Sequence, residues 1–137
     1  MSLHEHPVPT AAPRVSPFKS RAGLQRLWRA FGYSWAGLVA ACRHEAAFRQ
    51  ELLVGVPALG LAWWLAPGPG QALLLSATVL LVWIVELVNS AVEALADAIS
   101  VEHHPLLGRA KDLGSAAVML SLVLAVAVWV GVLWPGR

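Results

Sequence analysis

Five polar residues recur at helical spacing in a part of the chain that is otherwise strongly apolar. Glu86, Asn89, Ser90, Glu93 and Asp97 follow one another at intervals that place them on a single face of an α-helix. This polar stripe begins inside an apolar segment, where an ionisable residue costs roughly 2.5–3.5 kcal/mol. A carboxylate at such a depth indicates a functional site, and proton transfer and cation binding are the chemistry it suits.

Glu45, which lies shortly before another apolar segment, adds a further carboxylate to this candidate site. Glu45 and Glu93 could share a hard divalent cation at the membrane surface. Mg²⁺ usually takes one or two carboxylates, and waters and substrate phosphates complete its octahedron. Glu86 lies about 10 Å deeper along the helix than Glu93 at a rise of 1.5 Å per residue. The spacing therefore predicts a metal and phosphate site near the surface, with Glu86 placed as a base for a lipid hydroxyl. The alternative for Glu86, Asn89, Ser90 and Glu93 is a purely structural role in hydrogen bonding between helices.

A third polar segment, 100–115, combines acidic, basic and imidazole side chains with two glycines. Basic residues and free backbone amides near a helix start suit a phosphate group, and Arg109 and Lys111 supply the cations. We expect a cytoplasmic loop over 98–112. An ordinary charged loop without a ligand has the same pattern, so this segment alone does not decide between the two.

The elements that must position these residues are membrane helices. The chain is 58% hydrophobic and 13% charged, whereas about a quarter of the residues of a soluble domain are charged. No charged residue occurs between Glu51 and Glu86 or between Asp112 and Arg137. About 20 residues cross a bilayer, so we predict spans at about 45–66, 71–91 and 113–134. A net charge of +2 is too small to indicate a nucleic-acid partner.

The N-terminal part differs in character from the spans. Basic residues concentrate before the first span and in the 98–112 loop, so the positive-inside rule places both in the cytoplasm. The pattern of apolar and basic residues at about 19–33 predicts an amphipathic helix on the membrane surface. The alternative is a basic segment that only sets the orientation of the first span. Residues 1–18 are rich in proline and are predicted to be a disordered tail. Residues 19–137 then form one membrane-embedded domain.

Four motifs give the chain a resemblance to a known family. Glu-x-x-Asn-Ser-Ala-x-Glu-Ala-x-x-Asp at 86–97 and Gly-Arg-Ala-Lys-Asp-x-Gly-Ser-Ala-Ala at 108–117 resemble the small integral-membrane diacylglycerol kinases of bacteria. Gly-Tyr-Ser-Trp-x-Gly at 32–37 and Glu-Ala-Ala-Phe-Arg-Gln-Glu at 45–51 match the same family. The resemblance covers about 24–134.

The resemblance implies an all-α membrane protein that forms a homotrimer. Each chain would contribute three transmembrane helices and an amphipathic surface helix. The implied reaction transfers the γ-phosphoryl group of MgATP to the hydroxyl of 1,2-diacylglycerol, which gives phosphatidic acid. The implied location is the bacterial inner membrane, as a multi-pass protein with its N-terminus and active site on the cytoplasmic side.

The resemblance also assigns roles by position. It makes Glu86 the catalytic base and makes Glu45 and Glu93 the ligands of Mg²⁺. Pro105 and Leu107 depart from the family's pattern, which more often has acidic or small polar residues there. The implied nucleotide contacts are Arg26, Tyr33, Glu45, Glu93, Glu102, His104, Lys111 and Asp112. The implied substrate-binding or supporting residues are Ser34, Arg49, Trp64, Asn89 and Ser115.

Two other functions remain open from the sequence. One is a kinase of the same family that acts on undecaprenol. The other is a non-enzymatic membrane oligomer, such as a small pore or a scaffold. A pore would need polar residues along a whole span, whereas 72–85 offers only Ser76 and Thr78.

Overall fold

Helices make up nearly all of the described chain, which in this computed structural model comprises residues 22–99 and 104–134. No strand occurs in those residues, so the prediction of an all-α protein is confirmed. The predicted tail at 1–18 and the predicted nucleotide residue Glu102 lie outside them. The helices are α1 (Ala22–His44), α2 (Ala46–Leu65), α3 (Pro69–Ile99) and α4 (Pro105–Leu133).

The chain divides into two compact units, residues 1–36 and 37–137. In the first unit, α1 presents Leu24, Leu27, Trp28 and Phe31 at helical spacing, and all four side chains are exposed. The rings of Trp28 and Phe31 meet edge to face, with centroids 6.4 Å apart. An apolar stripe of this kind is what the predicted amphipathic helix requires.

The helix that we expected to end near residue 33 instead continues to His44. No proline interrupts 34–44, and this segment contains several alanines, which are strong helix formers. Arg43 lies in the last turn, where its positive charge complements the helix dipole. Residues 37–44 of α1 lie in the second unit, because the boundary between the two units falls after Ala36.

Helix α3 is the central element of the second unit, because it packs against both α2 and α4. Its buried face begins with small and aliphatic side chains and continues without a break into the polar stripe. The face is built from Ala72, Leu75, Val79, Val82, Glu86 and Asn89, all buried and spaced by three or four residues.

Two tryptophans join the neighbouring helices to α3. Trp83 Nε1 donates a hydrogen bond of 3.2 Å to the backbone oxygen of Glu51 on α2. Its ring lies so close to Gly55 that a Cβ there would come within 2.6 Å of it. On the other side, Trp129 Nε1 of α4 donates to Thr78 Oγ1 at 3.1 Å.

Helices α3 and α4 are each long and apolar enough to cross a membrane. They contain the predicted spans 71–91 and 113–134. Helix α2 forms where the first span is predicted, but Arg49 and Glu51 near its start shorten its apolar part to 52–65. That part is shorter than the ~20 residues of a usual span. Many large apolar side chains on these helices are exposed, as is typical of a protein surrounded by lipid.

The prediction of a loop over 98–112 was wrong for most of its length. Helix α3 extends to Ile99, and α4 already begins at Pro105. Proline at the first helical position has a suitable φ and needs no amide partner. His104 caps the helix, since its Nδ1 accepts a hydrogen bond of 3.3 Å from the amide of Leu106. The motif at 108–117 is therefore helical, and Pro105, which departs from the family's pattern, begins the helix.

Candidate active site

The site is built around a buried carboxyl group at the centre of α3. Glu86 is only 4% exposed, because it continues the buried face of α3. Its carboxyl group interacts electrostatically with those of Glu93 and Glu45, and also with that of Glu51. Three of these groups, Glu86, Glu93 and Glu45, are the carboxylates that the sequence predicts to do chemistry, and Glu93 and Glu45 lie within electrostatic range of Glu86.

Glu45 reaches this cluster from the junction between α1 and α2. It is the one residue that separates the two helices, and its backbone is extended, with φ −101° and ψ 111°. Its amide donates to the carbonyl oxygen of Ala41 at 2.9 Å. Its side chain makes no capping hydrogen bond to α2. The carboxylate is therefore held at a fixed point of the backbone without being used to cap the helix.

Asn89 connects the buried and the exposed parts of the polar stripe. It lies 8% exposed on α3, and its Nδ2 donates a hydrogen bond of 3.0 Å to Glu93 Oε1. This bond orients the Glu93 carboxylate, which is half-buried. The other amide atom, Asn89 Oδ1, is buried and has no hydrogen-bond partner among the described residues.

Lys111 lies on the second turn of α4, next to the end of α3. Its Nζ is 2.5 Å from Oδ1 of Asp97, and Asp97 is the last residue of the polar stripe. The pair is solvent-accessible, with side-chain exposures of 39% for Lys111 and 65% for Asp97. Lys111 thus forms its ion pair with Asp97, and it also interacts electrostatically with Glu93.

The other predicted residues of α4 lie on its surface. Asp112 and Ser115 are exposed. His104 is also exposed, and its role in the structure is to cap α4 through Nδ1. These side chains are accessible to a ligand from solvent.

Arg49 and Trp64 are placed at opposite ends of α2. The guanidinium of Arg49 donates to the backbone oxygens of Cys42 and Arg43, at 3.4 and 3.2 Å, and so binds the last carbonyls of α1. Trp64 is 80% exposed and lies about 28 Å along α2 from the position of Glu45. The structure does not bring Trp64 to the carboxylate cluster.

Three predicted residues belong to the first unit. Arg26, Tyr33 and Ser34 lie on α1, and all three are exposed. Arg26 takes part in a further interaction within the chain. Tyr33 and Ser34 are thus accessible to a soluble ligand or to the membrane surface.

Glu51 is a site residue that the sequence reasoning did not select. Its Oε2 is buried and has no hydrogen-bond partner in the described part of the chain. Glu51 lines an apolar cavity of about 510 Å³ between α2, α3 and α4, together with Trp83 and Trp129. The sequence feature that could have identified Glu51 is the polar run of 45–51, which Gln50 and Glu51 continue into an apolar segment.

The carboxylates of this site are compatible with a magnesium ion that takes only part of its coordination from the protein. Among the described residues, no three His, Cys, Asp or Glu side chains converge to form a metal-binding group. Glu45 and Glu93 offer two carboxylates, which is the number that Mg²⁺ commonly takes from a protein when substrate phosphates complete its coordination. The two carboxylates therefore fit a metal that binds together with a nucleotide.

A helical protein with two membrane-capable helices, a buried carboxyl group, two further carboxylates that interact with it electrostatically and an accessible lysine has the groups that phosphoryl transfer uses. Comparison with known proteins identifies the family to which this chain belongs. Residues 32–133 match the family described as prokaryotic diacylglycerol kinase. This chain therefore belongs to the prokaryotic diacylglycerol kinase family.

Individual relatives cover most of the chain. The diacylglycerol kinase of Escherichia coli strain K12 is 49% identical over 112 residues, which are 82% of this chain and 92% of the relative. That of Pseudomonas aeruginosa is 48% identical over 118 residues, or 86% and 96% of the two chains. That of Haemophilus influenzae is 41% identical over 112 residues, or 82% and 95%.

Proposed function

We propose that this chain transfers the γ-phosphoryl group of ATP to the hydroxyl of 1,2-diacylglycerol, which yields phosphatidic acid and ADP. The observation that carries the proposal is the buried Glu86 carboxyl group, which interacts with the carboxylates of Glu93 and Glu45. Relatives named diacylglycerol kinase, 41–49% identical to this chain, support the substrate class.

In this reaction Glu86 acts as the general base. It takes the proton of the lipid hydroxyl while the hydroxyl oxygen forms a bond to the γ-phosphorus. The bond from this phosphorus to the β–γ bridging oxygen breaks, and ADP leaves. Because phosphoryl transfer depends mainly on positioning and on electrostatics, a base held in place on a packed helix suits it. The low exposure of Glu86 also keeps water, a competing acceptor, away from the base.

Glu45 and Glu93 are the residues that would hold Mg²⁺. Glu45 is free of a capping role, and Glu93 is oriented by Asn89, so both carboxylates are prepared for an external ligand. Bound Mg²⁺ would offset the negative charge of the ATP phosphates during transfer. The two carboxylates would otherwise repel the same phosphates.

Lys111 is the proposed cationic contact of the phosphates. Its ammonium group is a compact charge on a flexible stem, and its partner Asp97 is largely exposed. A phosphate can therefore replace Asp97 without leaving a buried charge unpaired. The further nucleotide contacts proposed from the family are Arg26, Tyr33, Glu102, His104 and Asp112, and the proposed supporting residues are Ser34, Arg49, Trp64, Asn89 and Ser115.

The apolar cavity beside Glu51 supports a lipid as the acceptor. It is lined almost entirely by apolar side chains of α2, α3 and α4, and its volume of about 510 Å³ suits part of an acyl chain. Since Glu51 also interacts with Glu86, a lipid bound there would lie near the proposed base.

The proposed membrane arrangement adds a third span to the two helices that are long and apolar enough to cross a membrane. Helix α2 would cross as a third span, with the polar residues of its first turns in the headgroup region, and part of α1 would lie on the membrane surface. The N-terminus and the site would face the cytoplasm of a bacterial inner membrane. A homotrimer would cover part of the exposed apolar surface of the helices.

The experiment that tests this function is phosphorylation of lipids by the purified full chain in mixed micelles with Mg²⁺ and γ-labelled ATP. We expect labelled phosphatidic acid from diacylglycerol. Faster labelling of undecaprenol would contradict the proposed acceptor and retain the transfer chemistry. Absence of label in both lipids would contradict phosphoryl transfer and return the non-enzymatic oligomer to consideration.

A further inference from the structure

Gly114 on α4 makes an unusually close approach to the polar stripe of α3. A Cβ added at Gly114 would overlap the side-chain oxygen Oδ1 of Asn89 and would lie 3.2 Å from its Cγ. The Asn89 amide thus occupies the space that any other residue at position 114 would need. This is the same buried Oδ1 that has no hydrogen-bond partner among the described residues.

The contact fixes which way the Asn89 amide faces. Asn89 Nδ2 donates to Glu93 Oε1 at 3.0 Å. A rotated amide would instead place Oδ1 against a carboxylate oxygen, and two acceptors repel each other. On the other side of the amide, the absence of a side chain at Gly114 leaves room for Oδ1. Gly114 and Glu93 therefore hold the two ends of one amide group.

Helix propensity does not explain glycine at this position. In a helix interior, alanine is about 0.8–1.0 kcal/mol more favourable than glycine. Gly131 shows the contrast on the same helix, because a Cβ there would meet nothing within 4 Å. At Gly114 the added methyl group has a specific neighbour, and this neighbour orients a proposed metal ligand.

We propose that Gly114 is a positioning residue for the phosphoryl-transfer site. Its missing side chain leaves room for Asn89, and Asn89 in turn orients Glu93 toward the metal. The inference rests on the proposed function, since it gives Gly114 a role only through the ligand Glu93. Groups that orient a metal ligand typically change metal affinity by 10–100-fold when they are removed.

The test compares Gly114→Ala, Asn89→Ala and the double variant, with Gly131→Ala as the matched control. The readouts are the dissociation constant of Mn²⁺, from its electron paramagnetic resonance signal, and the Mg²⁺ concentration that half-saturates lipid phosphorylation. Circular dichroism checks that each variant is folded. We expect Gly114→Ala and Asn89→Ala to weaken Mn²⁺ binding about tenfold each. Gly131→Ala should leave it unchanged.

The double variant decides whether Gly114 acts through Asn89. If it does, the two effects do not multiply, and the double variant binds Mn²⁺ as Asn89→Ala alone does. Multiplying effects, or wild-type Mn²⁺ binding by Gly114→Ala, would overturn the inference. Should Gly114→Ala fail to fold, the double variant should still fold, because removal of the Asn89 amide makes room for the methyl group. An unfolded double variant would overturn the inference as well.

Failure of this inference can be distinguished from failure of the proposed function. A wild-type chain that phosphorylates no lipid contradicts the function. A wild-type chain that is active, while Gly114→Ala keeps the wild-type Mg²⁺ and Mn²⁺ dependence, contradicts only the role of Gly114.

Discussion

Lys111 Nζ lies 2.5 Å from Asp97 Oδ1, so an ion pair joins the start of α4 to the end of α3. Both side chains are accessible to solvent, where water and salt screen the attraction between them. The pair can therefore open at little cost. This property matters because Lys111 is also the proposed contact of the ATP phosphates.

Asp97→Asn should retain turnover and lower the KM for ATP by up to about fivefold. The reason is that Asp97 competes with the phosphates for Lys111, and the factor corresponds to the upper end of an exposed ion pair. Steady-state kinetics with varied MgATP measure it, and Lys111→Met, which should raise the KM, is the control. A higher KM in Asp97→Asn would show that Asp97 assists ATP binding.

Glu93→Gln should raise the Mg²⁺ concentration needed for half-maximal activity by more than about tenfold. Glutamine keeps an oxygen that accepts the hydrogen bond from Asn89, so the change removes charge and preserves shape. Activity measured at fixed ATP and varied free Mg²⁺ tests this. Asp97→Asn removes a carboxylate from the same helix and should shift this Mg²⁺ concentration by no more than the change of about fivefold expected in its KM for ATP. An unshifted midpoint in Glu93→Gln would remove Glu93 from the metal site.

Gly55→Ala should destabilise the fold by about 1–3 kcal/mol, the usual cost of overpacking a filled space. A Cβ there would come within 2.6 Å of Trp83 Cζ2, and the Trp83 ring is held by its bond to the backbone of Glu51. Gly60→Ala is the matched control on α2, since a Cβ there meets nothing within 4 Å. Unfolding in detergent micelles measures both. Equal stability of the two variants would contradict the packing of Trp83 on Gly55.

Trp129→Phe and Thr78→Val should be energetically coupled. The hydrogen bond of 3.1 Å between Trp129 Nε1 and Thr78 Oγ1 joins α4 to α3. Hydrogen bonds between membrane helices average about 0.6 kcal/mol in double-mutant cycles. Unfolding free energies of the two single variants and the double variant give the coupling. A coupling energy near zero would mean that the bond does not hold α4 in place.

The polar stripe shows what the sequence could predict. Glu86, Asn89 and Glu93 fall on one face because helical spacing depends on sequence alone, and the structure confirms the helix and the burial of its deeper part. The sequence also predicts that Glu45 and Glu93 share a divalent cation, and the electrostatic interaction of Glu45 with Glu86 is consistent with a position beside this face.

Contacts between helices could not be read from spacing. The overlap at Gly114 and the approach of Trp83 to Gly55 depend on how far one helix is shifted against the next, which no periodicity encodes. The charges and the glycine of 105–112 predict a loop, whereas the cap by His104 and the fixed φ of Pro105 start a helix there. The pairing of Lys111 with Asp97 follows from that helix.

The most direct test of the account is the turnover of Glu86→Gln with saturating MgATP and diacylglycerol. The substitution preserves the size of a side chain that is packed on the buried face of α3, so helix content by circular dichroism should match that of the wild type. A general base contributes typically 10²–10⁴-fold, and we expect a loss of turnover in that range. A folded Glu86→Gln protein that keeps more than about a tenth of wild-type turnover would contradict the assignment of Glu86 as the base.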